Sequence, residues 1–132
     1  MSPSEATHSA VRPGAKPRGL ARLLGAFGNT WKGLAGCWRE EEAFRQECLL
    51  ALVVVPAGLW LGANGVERAL LIGPMLLILV VELLNSAIET AIDRIGTERH
   101  ALSGLAKDLG SAAVFAAFVL LAGTWALVLL GR

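Results

Sequence analysis

The stretch ALLIGPMLLILVVELLNSAIETAID, residues 69–93, decides the fold, because it is an apolar helix of membrane-spanning length that carries a row of polar side chains. At about 100° per residue, four of them fall within an arc of roughly 60°, with Asn85 beside them. The four are Glu82, Ser86, Glu89 and Asp93. A carboxylate in hydrocarbon is retained where it faces a partner, a cation or a wet cavity. Repeated Glu favours a cation site, and a polar seam that joins helices is the alternative.

The rest of the chain predicts an all-α membrane protein with three spans. Hydrophobic residues make up 55% of the 132 residues, and the mean hydropathy of +0.58 is high for a soluble domain. The net charge of +1 gives no reason to expect nucleic acid as a partner. The predicted spans cover residues 44–63, 69–93 and 107–130. Gly96 is expected to end the second, and Ser103-Gly104 to form the turn into the third.

The N-terminal part is predicted to have two sections. Residues 1–19 contain Pro and Gly but no apolar run, which is typical of a disordered tail. Residues 20–40 place apolar side chains at spacings of three and four, with basic residues on the other side. This pattern predicts an amphipathic helix on the membrane surface. Residues 20–132 are therefore expected to form a single membrane-embedded domain.

The distribution of basic residues predicts the orientation in the membrane. Most of the Lys and Arg side chains precede the first span, only Arg68 lies between the first two spans, and three lie between the second and third. Because cytoplasmic loops carry the excess of Lys and Arg, the N-terminus should be cytoplasmic and the C-terminus outside. The predicted location is the inner membrane of a bacterium.

The depth of the acidic residues indicates which chemistry is available. Glu89 lies about 30 Å along the second span, near its inner boundary, and Glu82 lies about 10 Å deeper. Mg²⁺ binds a few carboxylates together with phosphate oxygens, and phosphoryl transfer to a hydroxyl also needs a base. Intramembrane carboxylates serve proton and cation transport equally well. The residues alone leave lipid phosphorylation and transport open.

Four separated motifs resemble the small bacterial diacylglycerol kinases, which are integral membrane enzymes. They are ELLNSAIETAIDRIG at 82–96, WKGL at 31–34, EAFRQE at 42–47 and AKDLGSAA at 106–113. The resemblance covers roughly residues 20–130. It implies a homotrimer of three-span subunits, each with an N-terminal surface helix. It also implies MgATP-dependent phosphorylation of a diacylglycerol hydroxyl to give phosphatidic acid.

The resemblance also implies roles for particular residues. Glu82 matches the catalytic base, Glu41 and Glu89 match the acidic residues that hold Mg²⁺ on the ATP phosphates, and Asn85 matches an orienting position. Further nucleotide contacts correspond to Asn29, Glu98, His100, Lys107 and Asp108, where Asn29 replaces an aromatic residue of known members. Positions near the lipid substrate correspond to Arg22, Trp31 and Ser111, beside Glu82 itself.

Three alternatives remain at this point. An undecaprenol kinase would use the same mechanism on a different lipid alcohol, and the apolar wall does not separate the two acceptors. A small proton or cation transporter would use the polar row as its pathway. A non-enzymatic membrane subunit would use the row only for packing.

Overall fold

The computed structural model describes residues 19–96 and 98–131, and the described chain is almost entirely helical. Its elements are α1 (Leu20–Glu40), α2 (Glu42–Leu61), α3 (Gly65–Ile95) and α4 (Ala101–Leu130). Three of these helices, α2, α3 and α4, are long and apolar enough to cross a membrane. The predicted fold class, an all-α membrane protein with one preceding amphipathic helix, is confirmed. The predicted tail at residues 1–19 lies outside the described residues except for Gly19.

The chain divides into two compact units, Met1–Gly33 and Leu34–Arg132. The described part of the first unit is the N-terminal section of α1, whose large apolar side chains are exposed. They include Leu20, Leu23, Leu24, Phe27 and Trp31. An apolar stripe of this kind is what a helix at a membrane surface presents to the bilayer.

In the second unit, α3 packs against both α2 and α4. The core lies midway along the helices, where Met75 and Ile78 of α3 are fully buried against Ala117 of α4. Partly buried Val54 and Val55 of α2 complete it. Near the C-terminal end of α4, the indole Nε1 of Trp125 donates a hydrogen bond of 2.9 Å to the carbonyl oxygen of Leu71. The packing of α3 between two neighbours therefore buries one side of its polar row.

Two helix starts differ from the sequence-based expectation, for reasons of capping. α3 begins at Gly65 and not at 69, because the Asn64 side chain accepts a 3.0 Å hydrogen bond from the Glu67 amide. The predicted turn at Ser103-Gly104 is wrong, because both residues lie inside α4. That helix begins at Ala101, where His100 Nδ1 accepts from the Leu102 amide at 3.2 Å. The expected end of α3 before Gly96 is confirmed.

Candidate functional site

A cavity of about 560 Å³ opens between α2, α3 and α4 at the end of the unit that holds the polar row. Its lining combines acidic side chains with the apolar side chains of Leu50, Val114 and Phe118. The polar lining comprises Glu41, Gln46, Glu47, Glu82, Asn85, Glu89 and Ser111. The cavity can therefore hold a cationic or phosphorylated group beside an apolar chain.

Glu41 reaches this cavity because it lies in the break between α1 and α2. It has extended backbone angles and is the N-cap residue of α2. The Arg45 guanidinium folds back over this junction, where Nη1 donates to the carbonyl oxygens of Trp38 at 2.9 Å and Arg39 at 3.1 Å. These contacts satisfy carbonyls that the end of α1 leaves unpaired. The neighbouring Glu42 does not line the cavity and accepts a hydrogen bond from Gln46.

On α3, Glu82, Asn85 and Glu89 lie on one face, at spacings of three and four residues. Glu82 is 4% exposed and Asn85 is 9% exposed. Asn85 Nδ2 donates to Glu89 Oε1 at 3.2 Å. Because a carboxylate only accepts, this bond assigns the amide orientation. The Asn85 Oδ1 atom then points away from Glu89 and, among the described residues, is buried without a hydrogen-bond partner.

Glu47 is a member of the cavity to which the sequence analysis gave no role. It is 5% exposed, and its Oε2 atom is likewise buried without a partner within residues 19–96 and 98–131. The sequence contains a pattern that could have identified Glu47 as an inward-facing residue. Phe44, Glu47, Ala51 and Val54 follow one another at spacings of three and four, which is the pattern of the packed face of a helix. Glu47 is thus a carboxyl on the inward face of α2.

Two members of the polar row, Ser86 and Asp93, meet neighbours outside the acidic cavity. Ser86 turns towards the end of α1, where Cys37 Sγ donates to its hydroxyl at 3.6 Å. Asp93 lies outside the acidic cavity and forms an ion pair of 2.7 Å with Lys107 of α4. The predicted row of four is therefore divided, and only Glu82 and Glu89 of those four line the cavity with Asn85.

The ion pair belongs to a second cavity of about 400 Å³ beyond the end of α3. Glu98 and His100 line it together with Asp93 and Lys107. Asp108 is exposed and lines neither of these two cavities. Of the predicted nucleotide-binding residues, Glu41 and Glu89 therefore line the first cavity, three line the second, and Asn29 and Asp108 line neither. Ser111 lies in the first cavity.

Three predicted site residues, Arg22, Asn29 and Trp31, lie in the first unit. All three are exposed positions of α1. Asn29 and Trp31 are two positions apart, so they point about 200° apart around the helix axis.

The acidic cavity contains carboxylates that could bind a cation. Within the described ranges, no group of three or more His, Cys, Asp or Glu side chains is arranged to hold a metal ion unaided. Magnesium sites in phosphoryl-transfer enzymes usually need only one or two carboxylates, with phosphate and water oxygens completing the shell. Glu41 and Glu89, which both line the acidic cavity, supply donors of that kind. The residues present therefore fit a cation that arrives with a phosphorylated ligand.

Comparison with known proteins assigns the class of protein. Residues 28–129 match the family model described as prokaryotic diacylglycerol kinase. A "Diacylglycerol kinase" of Escherichia coli strain K12 is 48% identical over 111 residues, covering 84% of this chain and 91% of the relative. One of Pseudomonas aeruginosa is 50% identical over 113 residues, covering 86% and 92%. One of Helicobacter pylori strain J99 is 41% identical over 115 residues, covering 87% and 90%.

These matches and the three membrane-length helices define an integral membrane enzyme of bacterial type that acts on a lipid. The chain belongs to the prokaryotic diacylglycerol kinase family. The predicted resemblance is thereby confirmed, and the enzyme interpretation is preferred over the transporter and the non-enzymatic subunit. As a lipid kinase, the protein must bring a phosphate donor and a bilayer alcohol to one place.

Proposed function

We propose that this protein transfers the γ-phosphate of ATP to the free hydroxyl of diacylglycerol at the cytoplasmic face of the membrane, and that the acidic cavity is the site of transfer. The observation that carries the proposal is that Glu41, Glu82 and Glu89 line one cavity whose lining also includes apolar side chains of α2 and α4. A water-soluble nucleotide and a lipid alcohol can meet where charged and apolar side chains line the same cavity.

In this proposal, Glu82 is the general base. The hydroxyl oxygen of diacylglycerol bonds to the γ-phosphorus, the bond from that phosphorus to the bridging oxygen breaks, and ADP leaves. Glu82 takes the hydroxyl proton and later releases it to water. Its burial on the face shared with Asn85 supports this role, because a base must be held near the reacting hydroxyl and away from bulk water.

Glu41 and Glu89 would hold Mg²⁺ on the phosphates, since both line the cavity, Glu41 from the junction before α2 and Glu89 from α3. The ion would offset the negative charge of the phosphates and of the transferred group. Asn85 holds the Glu89 carboxylate by its 3.2 Å hydrogen bond. We assign it the task of orienting that carboxylate.

The remaining nucleotide contacts are proposed from the family match. Lys107, Glu98 and His100 line the second cavity, which would receive parts of the nucleotide away from the transferred phosphate. Asn29 and Asp108 are proposed as further nucleotide contacts. Arg22, Trp31 and Ser111 are proposed for the lipid.

The assembly and the topology are also proposals. We infer a homotrimer in which residues 20–132 of each subunit form one membrane-embedded kinase domain. Extensive apolar exposure along α4 supports burial against lipid or neighbouring subunits, as at Phe115, Val119 and Leu127. The basic N-terminal region supports a cytoplasmic N-terminus and an outer C-terminus in the bacterial inner membrane.

The deciding experiment follows radiolabelled γ-phosphate from ATP into a panel of lipid alcohols, with purified protein in mixed micelles and with Mg²⁺ present or chelated. We expect labelled phosphatidic acid from diacylglycerol and loss of labelling on chelation. Preferential labelling of undecaprenol would change the substrate but leave the mechanism in place. Labelling that persists without a divalent cation would refute the proposed role of Glu41 and Glu89.

A variant separates nucleotide binding from the other roles. Glu89→Gln removes a carboxylate charge and nearly preserves side-chain size, so we expect the KM for MgATP to rise by on the order of tenfold or more. Glu40→Gln is the matched control, because Glu40 is exposed and does not line the acidic cavity. An unchanged KM for MgATP in Glu89→Gln would contradict the assignment.

A further inference from the structure

Gly110 of α4 is buried directly against the Asn85 side chain of α3. A Cβ atom added at Gly110 would overlap Asn85 Oδ1 and lie 3.0 Å from Asn85 Cγ and 3.7 Å from Asn85 Cβ. All three atoms belong to the Asn85 side chain, and the closest is at its far end. By contrast, a Cβ added at Gly123 on the same helix would meet nothing within 4 Å.

The Asn85 amide is thus confined from two sides. Its Nδ2 atom donates to Glu89 Oε1 at 3.2 Å, and its Oδ1 atom occupies the space that a side chain at position 110 would need. Exchanging the two amide atoms would place Oδ1 against the Glu89 carboxylate, where two acceptors repel. The hydrogen bond to Glu89 therefore requires that position 110 has no side chain.

We propose that Gly110 is a positioning residue for phosphoryl transfer, which acts through Asn85 to orient the Glu89 carboxylate. The inference rests on the proposed role of Glu89 towards the nucleotide. Gly110 touches no reactant in this account. Its contribution is the space that lets the amide lie between α4 and Glu89.

This role separates folding from function. The atoms that oppose a new methyl group at position 110 are the end of a flexible side chain, which can rotate without moving either backbone. Ala also has a higher helix propensity than Gly. A Gly110→Ala variant should therefore remain folded, with the Asn85 amide displaced from Glu89.

The first test compares Gly110→Ala with the control Gly123→Ala. We expect the KM for MgATP to rise by on the order of tenfold in Gly110→Ala, the loss typical of one hydrogen bond to a charged group. The KM for diacylglycerol should stay within about twofold of the unsubstituted enzyme. Gly123→Ala should change neither constant. Equal rises of both KM values in Gly110→Ala would overturn the proposal, since that pattern indicates general distortion.

A double-mutant cycle tests the route through Asn85. In an Asn85→Ala background there is no amide to displace, so adding Gly110→Ala should change the KM for MgATP by less than about twofold. Effects that multiply independently would overturn the proposal. If Gly110→Ala alone fails to fold, the double variant still tests the proposal. A folded double variant with the kinetics of Asn85→Ala would show that the added methyl group acts by displacing the Asn85 amide. An unfolded double variant would refute this.

A measurement without turnover makes the inference independent of the assigned chemistry. The side-chain amide signal of Asn85 in a nitrogen-15 spectrum of the full chain in micelles should shift in Gly110→Ala and in Glu89→Gln, but not in Gly123→Ala. An unmoved signal in Gly110→Ala would overturn the inference. If the signal moves while Glu89→Gln leaves the KM for MgATP unchanged, the contact stands and the proposed function of Glu89 fails.

Discussion

The two ends of the three-helix unit treat their polar groups in opposite ways. At the turn between α2 and α3, Asn64 Oδ1 accepts from the Glu67 amide at 3.0 Å, and Glu67 Oε2 accepts from the Ala63 amide at 2.9 Å. Arg68 Nε donates to the Gly62 carbonyl at 3.0 Å. At the acidic cavity, oxygen atoms of Glu47 and Asn85 are buried without partners among the described residues.

The difference indicates what each end contributes. Buried polar atoms are nearly always paired in native proteins, so unpaired ones require an explanation, and a functional role is one. The turn satisfies its own groups and stabilises the chain. The cavity end keeps polar groups whose pairing is incomplete, which costs stability and is typical of residues retained for function. Substitutions at the cavity should therefore reduce activity and spare folding, whereas substitutions at the turn should do the reverse.

The largest effect is expected from Glu82→Gln. Loss of the proposed base should lower turnover by about 10²–10⁴-fold, because general-base catalysis typically supplies that factor. The nearly identical volume of Gln should leave the thermal unfolding midpoint close to that of the unsubstituted protein. Initial rates of phosphate transfer in mixed micelles and a thermal melt of the same sample give both quantities.

Glu67→Gln is the corresponding change at the turn. It replaces the charged acceptor of the Ala63 amide with a neutral amide oxygen. Because the charge-assisted hydrogen bond is the stronger, we expect a slightly lower unfolding midpoint with turnover within about twofold of the unsubstituted enzyme. Comparable losses of turnover in the two variants would remove the distinction between the two ends. Full turnover in Glu82→Gln would remove the base from the mechanism.

A smaller effect is expected from Arg45→Met, which tests whether the hydrogen bonds of Arg45 at the junction of α1 and α2 position Glu41 for the nucleotide. Methionine keeps much of the side-chain volume but loses the bonds to the Trp38 and Arg39 carbonyls. Glu41, at the junction that these bonds cover, should then occupy more positions, and the KM for MgATP should rise roughly three- to tenfold.

Arg39→Met is the control for the Arg45 variant, since it removes a neighbouring exposed basic charge. Its KM for MgATP should remain unchanged if the bonds to the carbonyls are responsible. A rise of the same size in both variants would indicate that basic charge near the junction matters and that its geometry does not.

Much of the fold could be predicted because lipid permits few solutions for an apolar chain. Three long apolar stretches had to become helices, since every backbone polar group in a bilayer must be paired within its own segment. The misplaced turn at Ser103-Gly104 shows the limit of this reasoning. Small residues are tolerated inside membrane helices, so the cap at His100 determined where α4 begins.

The site was predictable only along one helix. The spacing of Glu82, Asn85 and Glu89 on α3 put them on one face, and the structure brings all three into one cavity. Helical spacing does not say which neighbour each residue meets. The spacing along α2 marks Glu47 as inward-facing, but the cavity that it shares with α3, like the pairing of Asp93 with Lys107, depends on how the helices pack.

At the turn, Asn64→Ala should cost about 1 kcal/mol of folding free energy, the usual loss for an N-cap. The expected readout is a lower unfolding midpoint in detergent, with both KM values and turnover unchanged. Asn64→Asp is the matched control, because Asp keeps an acceptor for the Glu67 amide and should unfold close to the unsubstituted protein. Altered kinetics in Asn64→Ala would mean that the turn and the cavity are coupled.

The smallest effect is expected for a polar group that is paired at a helix interface. The variant tests whether this group, like those at the turn, contributes to stability and not to activity. Trp125→Phe removes the indole N–H that donates to the Leu71 carbonyl at 2.9 Å. We expect a loss of about 0.5–1.5 kcal/mol, the usual net contribution of one hydrogen bond, with unchanged kinetics. Trp60→Phe is the control, because Trp60 is 85% exposed and should unfold as the unsubstituted protein does. A change of turnover in Trp125→Phe would mean that this hydrogen bond also serves catalysis. A paired polar group could then no longer be assumed to contribute to stability alone.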